Sequence, residues 1–183
     1  MNKLVGFAFP GQGSQSPGML VEHFKNSEIF NTVFDISKEV LGIDFKQLIQ
    51  EGSAEDLSAT QITQPLLLTA NYAIWKMADI NPKSVDLMAG HSLGEYSAYV
   101  AAESIKFEDA LKLVSLRAKY MQEAVKEGEG GIAAVIGLNY DSLLEICNEI
   151  TDEGDLVSTA NLNSENQIVI SGTKTGVDKA IIL

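Results

Sequence analysis

The sequence contains little that would support several common kinds of protein function. Its single cysteine, Cys147, can form neither an internal disulfide nor a thiolate metal cluster. No uninterrupted apolar run approaches the ~18 residues that a membrane-spanning helix needs, and no apolar segment of the signal-peptide type follows Met1. We therefore expect a soluble protein of the cytoplasm.

Basic residues are also scarce. The chain has 13 Lys and Arg residues against 25 Asp and Glu residues, which gives a net charge of −12. Such a charge repels nucleic-acid phosphates and anionic membranes, so we expect neither as a partner. The composition is that of a globular protein, because 45% of its 183 residues are apolar and 21% are charged, enough for one core with a small appendage.

The most informative segment is the pentapeptide Gly-His-Ser-Leu-Gly at 90–94, which follows a short apolar run at 85–89 and precedes a helix-compatible run. The order strand, sharp turn, helix is typical of a nucleophile elbow, in which glycines let the strand and the helix pass closely. Ser92 would be the nucleophile, with the Leu93 backbone N–H directed at an oxyanion. A chance match in a glycine-rich loop is the alternative that five residues alone leave open.

A second glycine-rich loop, at 10–15, ends a strand that the sequence predicts over 4–9 and that we expect to be buried on both faces. The loop lacks the lysine of a Walker motif and the third glycine of a dinucleotide fingerprint, which argues against a phosphate site. Two interpretations remain. It is either a plain structural turn or the source of a second oxyanion donor, the Gln12 N–H.

Arg117, the only arginine, lies on a helix predicted over 107–125. Apolar residues surround it at helical spacing and place it in the middle of an apolar stripe: Ala110, Leu113, Val114, Met121 and Ala124. A guanidinium there can reach the edge of the stripe, pair with a buried carboxylate, or face a cleft where a ligand supplies the anion. In a cleft, its planar fork could hold a substrate carboxylate in bidentate geometry.

Apolar periodicity predicts the remaining elements. Short helices are expected over 19–49, a polar connection over 52–59, and an apolar helix over 61–77 with Pro65 in its first turn. After a break at 127–131 the pattern becomes β-α-β-β-α, which is most of a ferredoxin-like unit without its last strand. The sequence ends inside the last predicted helix, so we expect the chain to be part of a longer protein.

Four motifs, in this order along the whole chain, resemble those of the malonyl-CoA:acyl carrier protein transacylase family. They are Phe-Pro-Gly-Gln-Gly-Ser-Gln at 9–15, Thr-Gln-Pro at 63–65, Gly-His-Ser-Leu-Gly-Glu-Tyr at 90–96, and Leu-Arg at 116–117 followed by Met-Gln-Glu-Ala at 121–124. The resemblance implies an α/β fold in which an α/β-hydrolase-like large subdomain carries an inserted ferredoxin-like small subdomain. Residues 1–127 would be the first part of the large subdomain and 128–183 an incomplete small one, with the remainder of the large subdomain beyond this chain.

The resemblance also implies a ping-pong reaction of fatty acid biosynthesis. A serine takes malonyl from coenzyme A and passes it to the phosphopantetheine thiol of acyl carrier protein, with no cofactor or metal. By motif match, Ser92 would be the nucleophile, Gln12 and Leu93 the backbone oxyanion donors, and Arg117 the clamp on the malonyl carboxylate. Gln64 would line the pocket.

The general base is where this sequence departs from the family, whose base is a histidine placed after the ferredoxin-like insert. Only His23 and His91 are present. We expect His23 to be solvated or at the edge of the core, and His91 to point away from its neighbour Ser92 on a tight turn. Because a serine hydroxyl without a base is a poor nucleophile, we expect the chain alone to be inactive.

Three other functions stay open at this point. One is an acyltransferase domain of a larger, polyketide-type synthase with the same chemistry. The second is a serine hydrolase that uses water as the acceptor. The third is a binding module that keeps the elbow without the chemistry, a description that suits the chain taken alone.

Overall fold

The computed structural model describes residues 4–126 and 128–183, whose contacts divide the chain into two units. The first unit ends at Gln122 and the second begins at Glu123. Along the chain the first unit contains β1 (Gly6–Phe9), α1 (Val21–Asn26), α2 (Glu28–Leu41), α3 (Phe45–Glu51), α4 (Ala54–Ser58), α5 (Thr60–Met77), a 3-10 turn (Pro82–Ser84), β2 (Leu87–Gly90), α6 (Gly94–Ala101) and α7 (Phe107–Ala124), the last of which continues to the start of the second unit.

The two strands of the first unit position its site. β1 and β2 pair in parallel, with a register that runs from Gly6 opposite Leu87 to Phe9 opposite Gly90. Because parallel strands end at the same edge of a sheet, the loop after β1 lies beside the turn after β2. The fold therefore brings together the two glycine-rich segments that the sequence analysis singled out.

Helix α5 is the central element of the first unit. Its residues from Thr63 to Asn71 are all buried, and α2 and α6 pack against it. Helix α2 contributes an apolar face that includes Phe30 and Phe34, begins at a Ser27 N-cap and ends at Gly42 in the left-handed conformation. The predicted division of 19–49 into short helices is confirmed.

Within the described residues, the first strand is buried on one face, not on both as expected. Phe7 and Phe9 point toward Trp75 of α5, with ring centroids 5.1 and 6.1 Å from it. Side chains alternate along a strand, so Ala8 and the opposite residue on β2, Ala89, face the other way and are exposed. Among the described residues, helices therefore cover this two-stranded sheet through one face only.

Two expectations about the secondary structure of residues 52–65 are also wrong. The segment predicted as a polar connection contains helix α4, which begins with a capping box formed by Ser53 and Asp56. Pro65 lies in the interior of α5, not in its first turn, because the helix begins at Thr60. Since Pro65 has no N–H, the carbonyl of Gln61 lacks its usual helical donor.

The second unit has the predicted order β-α-β-β-α: β3 (Gly130–Ile136), α8 (Tyr140–Asp152), β4 (Val157–Ser164), β5 (Gln167–Thr173) and α9 (Lys174–Ile182). The strands form an antiparallel sheet in the order β3-β5-β4. Helices and sheet enclose a core of Leu143, Cys147, Ile150, Val157, Ile168, Ile170, Val177 and Ala180. Neither in this unit nor in the described part of the first does a helix combine the length and apolarity needed to cross a membrane.

Candidate active site

Ser92 lies at the apex of a sharp turn between β2, which ends at Gly90, and α6, which begins at Gly94. Its φ angle is 51°, in the left-handed region that residues with a side chain rarely adopt. Backbone strain of this kind persists only where the surrounding structure enforces it, and it concentrates at functional sites. The predicted order of strand, sharp turn and helix is confirmed.

The two glycines that flank the turn are required by close backbone approach. A Cβ on Gly90 would lie 1.9 Å from the carbonyl carbon of Gly94. A Cβ on Gly94 would lie 2.1 Å from the carbonyl oxygen of Phe9. Both distances are far below any van der Waals contact, so a side chain at either position would force the turn to move.

The loop after β1 is held directly against this turn. Phe9 O accepts a hydrogen bond from His91 N at 3.2 Å, and a Cβ on Gly11 would lie 2.6 Å from His91 O. Asn71 of α5 fixes the same junction, because its side-chain amide donates to Pro10 O and to Ser97 Oγ of α6, each at 3.1 Å. Hydrogen bonds therefore connect the loop after β1, the turn that carries Ser92, and helices α5 and α6.

The backbone N–H groups of Gln12 and Leu93, the two predicted oxyanion donors, are available for a ligand. Neither of them donates a hydrogen bond to any residue that the structure describes. Leu93 also precedes the first residue of α6, where the unpaired N–H groups of a helix create a partial positive charge. The arrangement can therefore stabilise a developing negative charge next to Ser92.

The guanidinium of Arg117 reaches Ser92 from α7. Its Nη2 donates to Ser92 Oγ at 3.0 Å, its Nη1 donates to Gln64 Oε1, and its central carbon lies 5.7 Å from the ring centre of Tyr96. No carboxylate within the described ranges forms an ion pair with it. The structure therefore places Arg117 beside the elbow serine, without a buried carboxylate partner.

The position of Arg117 on α7 differs from the one that spacing suggested. Leu113 is 45% exposed and Met121 is 51% exposed, so they do not belong to the buried side of the helix. The buried side is formed by Phe107, Ala110, Leu111, Val114 and Ala118. Arg117 is half-buried at the edge of this stripe, because the helix packs through a face rotated from the predicted one.

Gln64 orients the guanidinium from the opposite side. It is 1% exposed, and its Oε1 accepts the bond from Arg117. Its Nε2 donates to Thr60 Oγ1 at 2.9 Å and lies 3.4 Å from Met121 Sδ. Thr60 was not predicted from the sequence, although Thr60 and Gln64, four residues apart on a helix, form a recognisable polar pair.

Neither the hydrogen bond to Ser92 Oγ nor the position of His23 identifies a general base for the serine. Arg117 can donate to the serine oxygen but cannot accept its proton. His23 packs on Phe30 with ring centroids 5.3 Å apart, and its Nδ1 is buried, which confirms a core-edge residue. In the two described stretches, no three or more His, Cys, Asp or Glu side chains are grouped so that they could hold a metal ion.

The turn thus combines a strained serine between a strand and a helix, two unused N–H groups and an adjacent guanidinium, an arrangement compatible with acyl transfer. A family model described as "Acyl transferase domain" matches residues 6–182. The chain belongs to this acyl transferase family.

Two bacterial proteins that are similar to this chain have the same name. The chain is 50% identical to the malonyl CoA-acyl carrier protein transacylase of Salmonella typhimurium over 175 residues, which are 95% of this chain and 56% of that protein. It is 45% identical to the Bacillus subtilis protein of the same name over 179 residues, or 96% of this chain and 56% of that one. The chain thus spans little more than half the length of these relatives.

Solved structures of similar proteins have the fold that this chain has. The malonyl CoA-acyl carrier protein transacylase of Coxiella burnetii matches with a TM-score of 0.92 and 46% identity, over 98% of this chain and 57% of that one. A malonyl-transacylase in complex with a type II polyketide synthase acyl-carrier protein matches with a TM-score of 0.92 and 45% identity, over 97% and 58%. These matches confirm the predicted α/β fold class.

Proposed function

We propose that the protein is a malonyl-CoA:acyl carrier protein transacylase of fatty acid biosynthesis, with Ser92 as its nucleophile. One observation carries the proposal: Arg117 Nη2 lies 3.0 Å from Ser92 Oγ, with no ion-pair partner in the described part of the chain. A malonyl group has its carboxylate only one methylene away from the thioester carbonyl that the serine attacks. A cation this close to the nucleophile therefore fits a short acyl group with a terminal carboxylate.

The first half-reaction forms an ester on Ser92. Ser92 Oγ loses its proton to a base and attacks the thioester carbon of malonyl-CoA, and the backbone N–H groups of Gln12 and Leu93 bind the oxyanion that forms. Collapse of this intermediate breaks the carbon–sulfur bond, and coenzyme A leaves as the thiol after it receives a proton. In the second half-reaction the phosphopantetheine thiol of acyl carrier protein gives its proton to the base and attacks the ester carbon. The carbon–oxygen bond to Ser92 then breaks, and Ser92 Oγ takes the proton back.

Arg117 acts as the substrate clamp in both half-reactions. Its two terminal nitrogens form a planar fork that suits a carboxylate, and Gln64 fixes the fork through Nη1. Nη2, which donates to Ser92 Oγ in the absence of substrate, is the group that can turn to the malonyl carboxylate. The chemistry uses a serine, backbone amides and a guanidinium, so we propose no cofactor beyond the coenzyme A thioester itself.

We also propose that the base is a histidine outside residues 1–183, in a part of the protein that completes the large subdomain. The relatives, which are longer than this chain, support this proposal. Residues 1–127 would then belong to the large subdomain and 128–183 to the small one. We assign the activity to the cytoplasm, where the coenzyme A thioester and the carrier protein would meet.

Replacing Arg117 tests the clamp in the full-length protein. In Arg117→Ala we expect kcat/KM for malonyl-CoA to fall by roughly 10- to 100-fold, the value of a hydrogen bond to a charged group, while acetyl-CoA, which has no carboxylate, is affected far less. The exposed Lys112 on the same helix supplies a control, since Lys112→Ala should leave both donors unaffected. Equal losses with the two donors in Arg117→Ala would remove the clamp from the account.

A further inference from the structure

A continuous series of side-chain hydrogen bonds connects Arg117 to the loop after β1. Arg117 Nη1 donates to Gln64 Oε1, Gln64 Nε2 donates to Thr60 Oγ1 at 2.9 Å, and Thr60 Oγ1 donates to Gln12 Oε1 at 3.1 Å. Thr60 is the first residue of α5, and Gln64 follows one helical turn later. The N-terminus of α5 thus lies between the carboxylate clamp and the residue whose backbone N–H faces the oxyanion.

The charge of Arg117 determines how the Gln64 amide is oriented. A guanidinium has only donors, so the oxygen of the Gln64 amide must face it and the NH2 group must face Thr60. Thr60 Oγ1 then accepts from Gln64, which leaves its own proton to be donated to Gln12. Gln64 is 1% exposed, and a rotated amide would place its donors against the guanidinium without water to compensate.

We propose that Thr60 is a positioning residue that couples the clamp to the oxyanion loop. This inference rests on the proposed function. The Thr60 hydroxyl bonds to Gln12 and Gln64 and not to Ser92. It holds the Gln64 amide in the one orientation that fixes Arg117, and it holds the Gln12 side chain so that the backbone N–H of the same residue stays beside the turn. Without the hydroxyl, Gln64 Nε2 retains only the long contact to Met121 Sδ.

The kinetic test compares Thr60→Val with Thr60→Ser in the full-length protein. Valine has the shape of threonine without the hydroxyl, and we expect kcat/KM for malonyl-CoA to fall about three- to tenfold, the value of one lost hydrogen bond. Transfer of acetyl should fall less, because it does not use the clamp. Thr60→Ser keeps the hydroxyl and should restore the wild-type preference for malonyl. In an Arg117→Ala background, Thr60→Val should lower malonyl and acetyl transfer by the same factor, because only its hydrogen bond to Gln12 is then lost.

A threonine on the same helix supplies the matched control. Thr69 Oγ1 donates to Pro65 O at 2.8 Å, inside α5 and away from the series. Thr69→Val therefore removes a hydroxyl from the same helix, and we expect the preference for malonyl over acetyl to stay at the wild-type value. If Thr60→Val and Thr69→Val change malonyl transfer equally, Thr60 has only a structural role and the coupling is wrong.

A spectroscopic measurement distinguishes a failure of this inference from a failure of the proposed function. In protein labelled with 15N-arginine, the Arg117 guanidinium signal is identified by its loss in Arg117→Ala. We expect its side-chain N–H resonances to be shifted and broadened in Thr60→Val but not in Thr60→Ser. An unchanged signal in Thr60→Val would overturn the coupling even if malonyl is transferred. If the wild-type protein transfers no malonyl, the proposed function fails, while the signal still decides whether Thr60 orders Arg117.

Discussion

Ser92 shows at the scale of single residues how the surrounding backbone creates a reactive position. Its φ of 51° is unfavourable for a residue with a Cβ, and the glycines two positions before and after it allow the chain to pass through the turn. The backbone is held by Phe9 O, which accepts from His91 N. The strain is therefore local, and the residues that enforce it can be replaced one at a time.

Gly90→Ala tests this local strain. The new Cβ would lie 1.9 Å from Gly94 C, so we expect a loss of about 1–3 kcal/mol in the free energy of unfolding and a displaced Ser92 that no longer forms an acyl-enzyme. Gly6→Ala on the paired strand β1 is the control, because there the nearest atom, Leu87 O, is 3.8 Å away. Urea unfolding and acyl-enzyme formation measure the two effects. Similar results for both variants would contradict a steric origin.

The sequence predicted which residues of the site would meet but not how all of them are held. Ser92, Gln64 and Arg117 were all named from motifs, and the structure brings their side chains into contact. The choice among three environments for Arg117 was not possible from spacing, because the buried face of α7 depends on what packs against it. Thr60 was missed because its second partner, Gln12, is 48 positions away in the sequence.

At the scale of elements, the junction between α2 and α3 depends on Asp44. Its carboxylate caps α3 by accepting from Gln47 N at 2.9 Å, and it accepts from Lys38 Nζ of α2 at 2.7 Å. The hydrogen bond from Lys38, followed by that from Gln47, lowers the pKa of Asp44 below its ordinary value. One side chain therefore caps α3 and also bonds to a lysine in the last turn of α2.

We expect Asp44→Ala to lower the free energy of unfolding by about 0.5–2 kcal/mol, whereas Asp44→Asn keeps the cap and loses only the charge. Because the pKa is lower in the folded chain, the contribution of the charge is complete above the unfolded value of about 3.9 and disappears as the pH falls through the lowered folded pKa. The stability difference between wild type and Asp44→Asn, followed by urea unfolding, should shrink over this range. A difference that grows on acidification would contradict this role of Asp44.

Periodicity predicted the long helices and most of the short elements, but it missed α4. Helix α4 has five residues, too few for a periodic pattern, and it is specified by the capping box of Ser53 and Asp56. For β1, an apolar run does not indicate how many faces of the sheet the described residues cover. That property depends on elements far away in the sequence, here Trp75 of α5.

For the whole molecule, each unit has its own apolar core. In the second unit, Cys147 is 1% exposed, and burial raises the pKa of its thiol. Because the thiolate is the reactive form, alkylation of Cys147 in the folded chain should be very slow and should follow the opening of this unit. The only cysteine in the chain is thus a probe of its second core.

Ile170→Ala should speed this alkylation by at least about tenfold, since deleting a buried isoleucine side chain costs roughly 2–5 kcal/mol. Ile170 is fully buried, whereas Ile136 on β3 is 76% exposed, so Ile136→Ala is the matched control and should leave the rate almost unchanged. Mass spectrometry of the peptide that contains Cys147 measures the rates. Equal acceleration by both variants would contradict the placement of this core.

The central claim is that Ser92 carries the acyl group between two thiols. The most direct measurement incubates the full-length protein with malonyl-CoA in the absence of acyl carrier protein and maps the acylated peptide by mass spectrometry. The account predicts one malonyl ester on Ser92, no ester in Ser92→Ala, and loss of the ester when a phosphopantetheine thiol is added. A malonyl group on another residue, or undiminished labelling of Ser92→Ala, would contradict it.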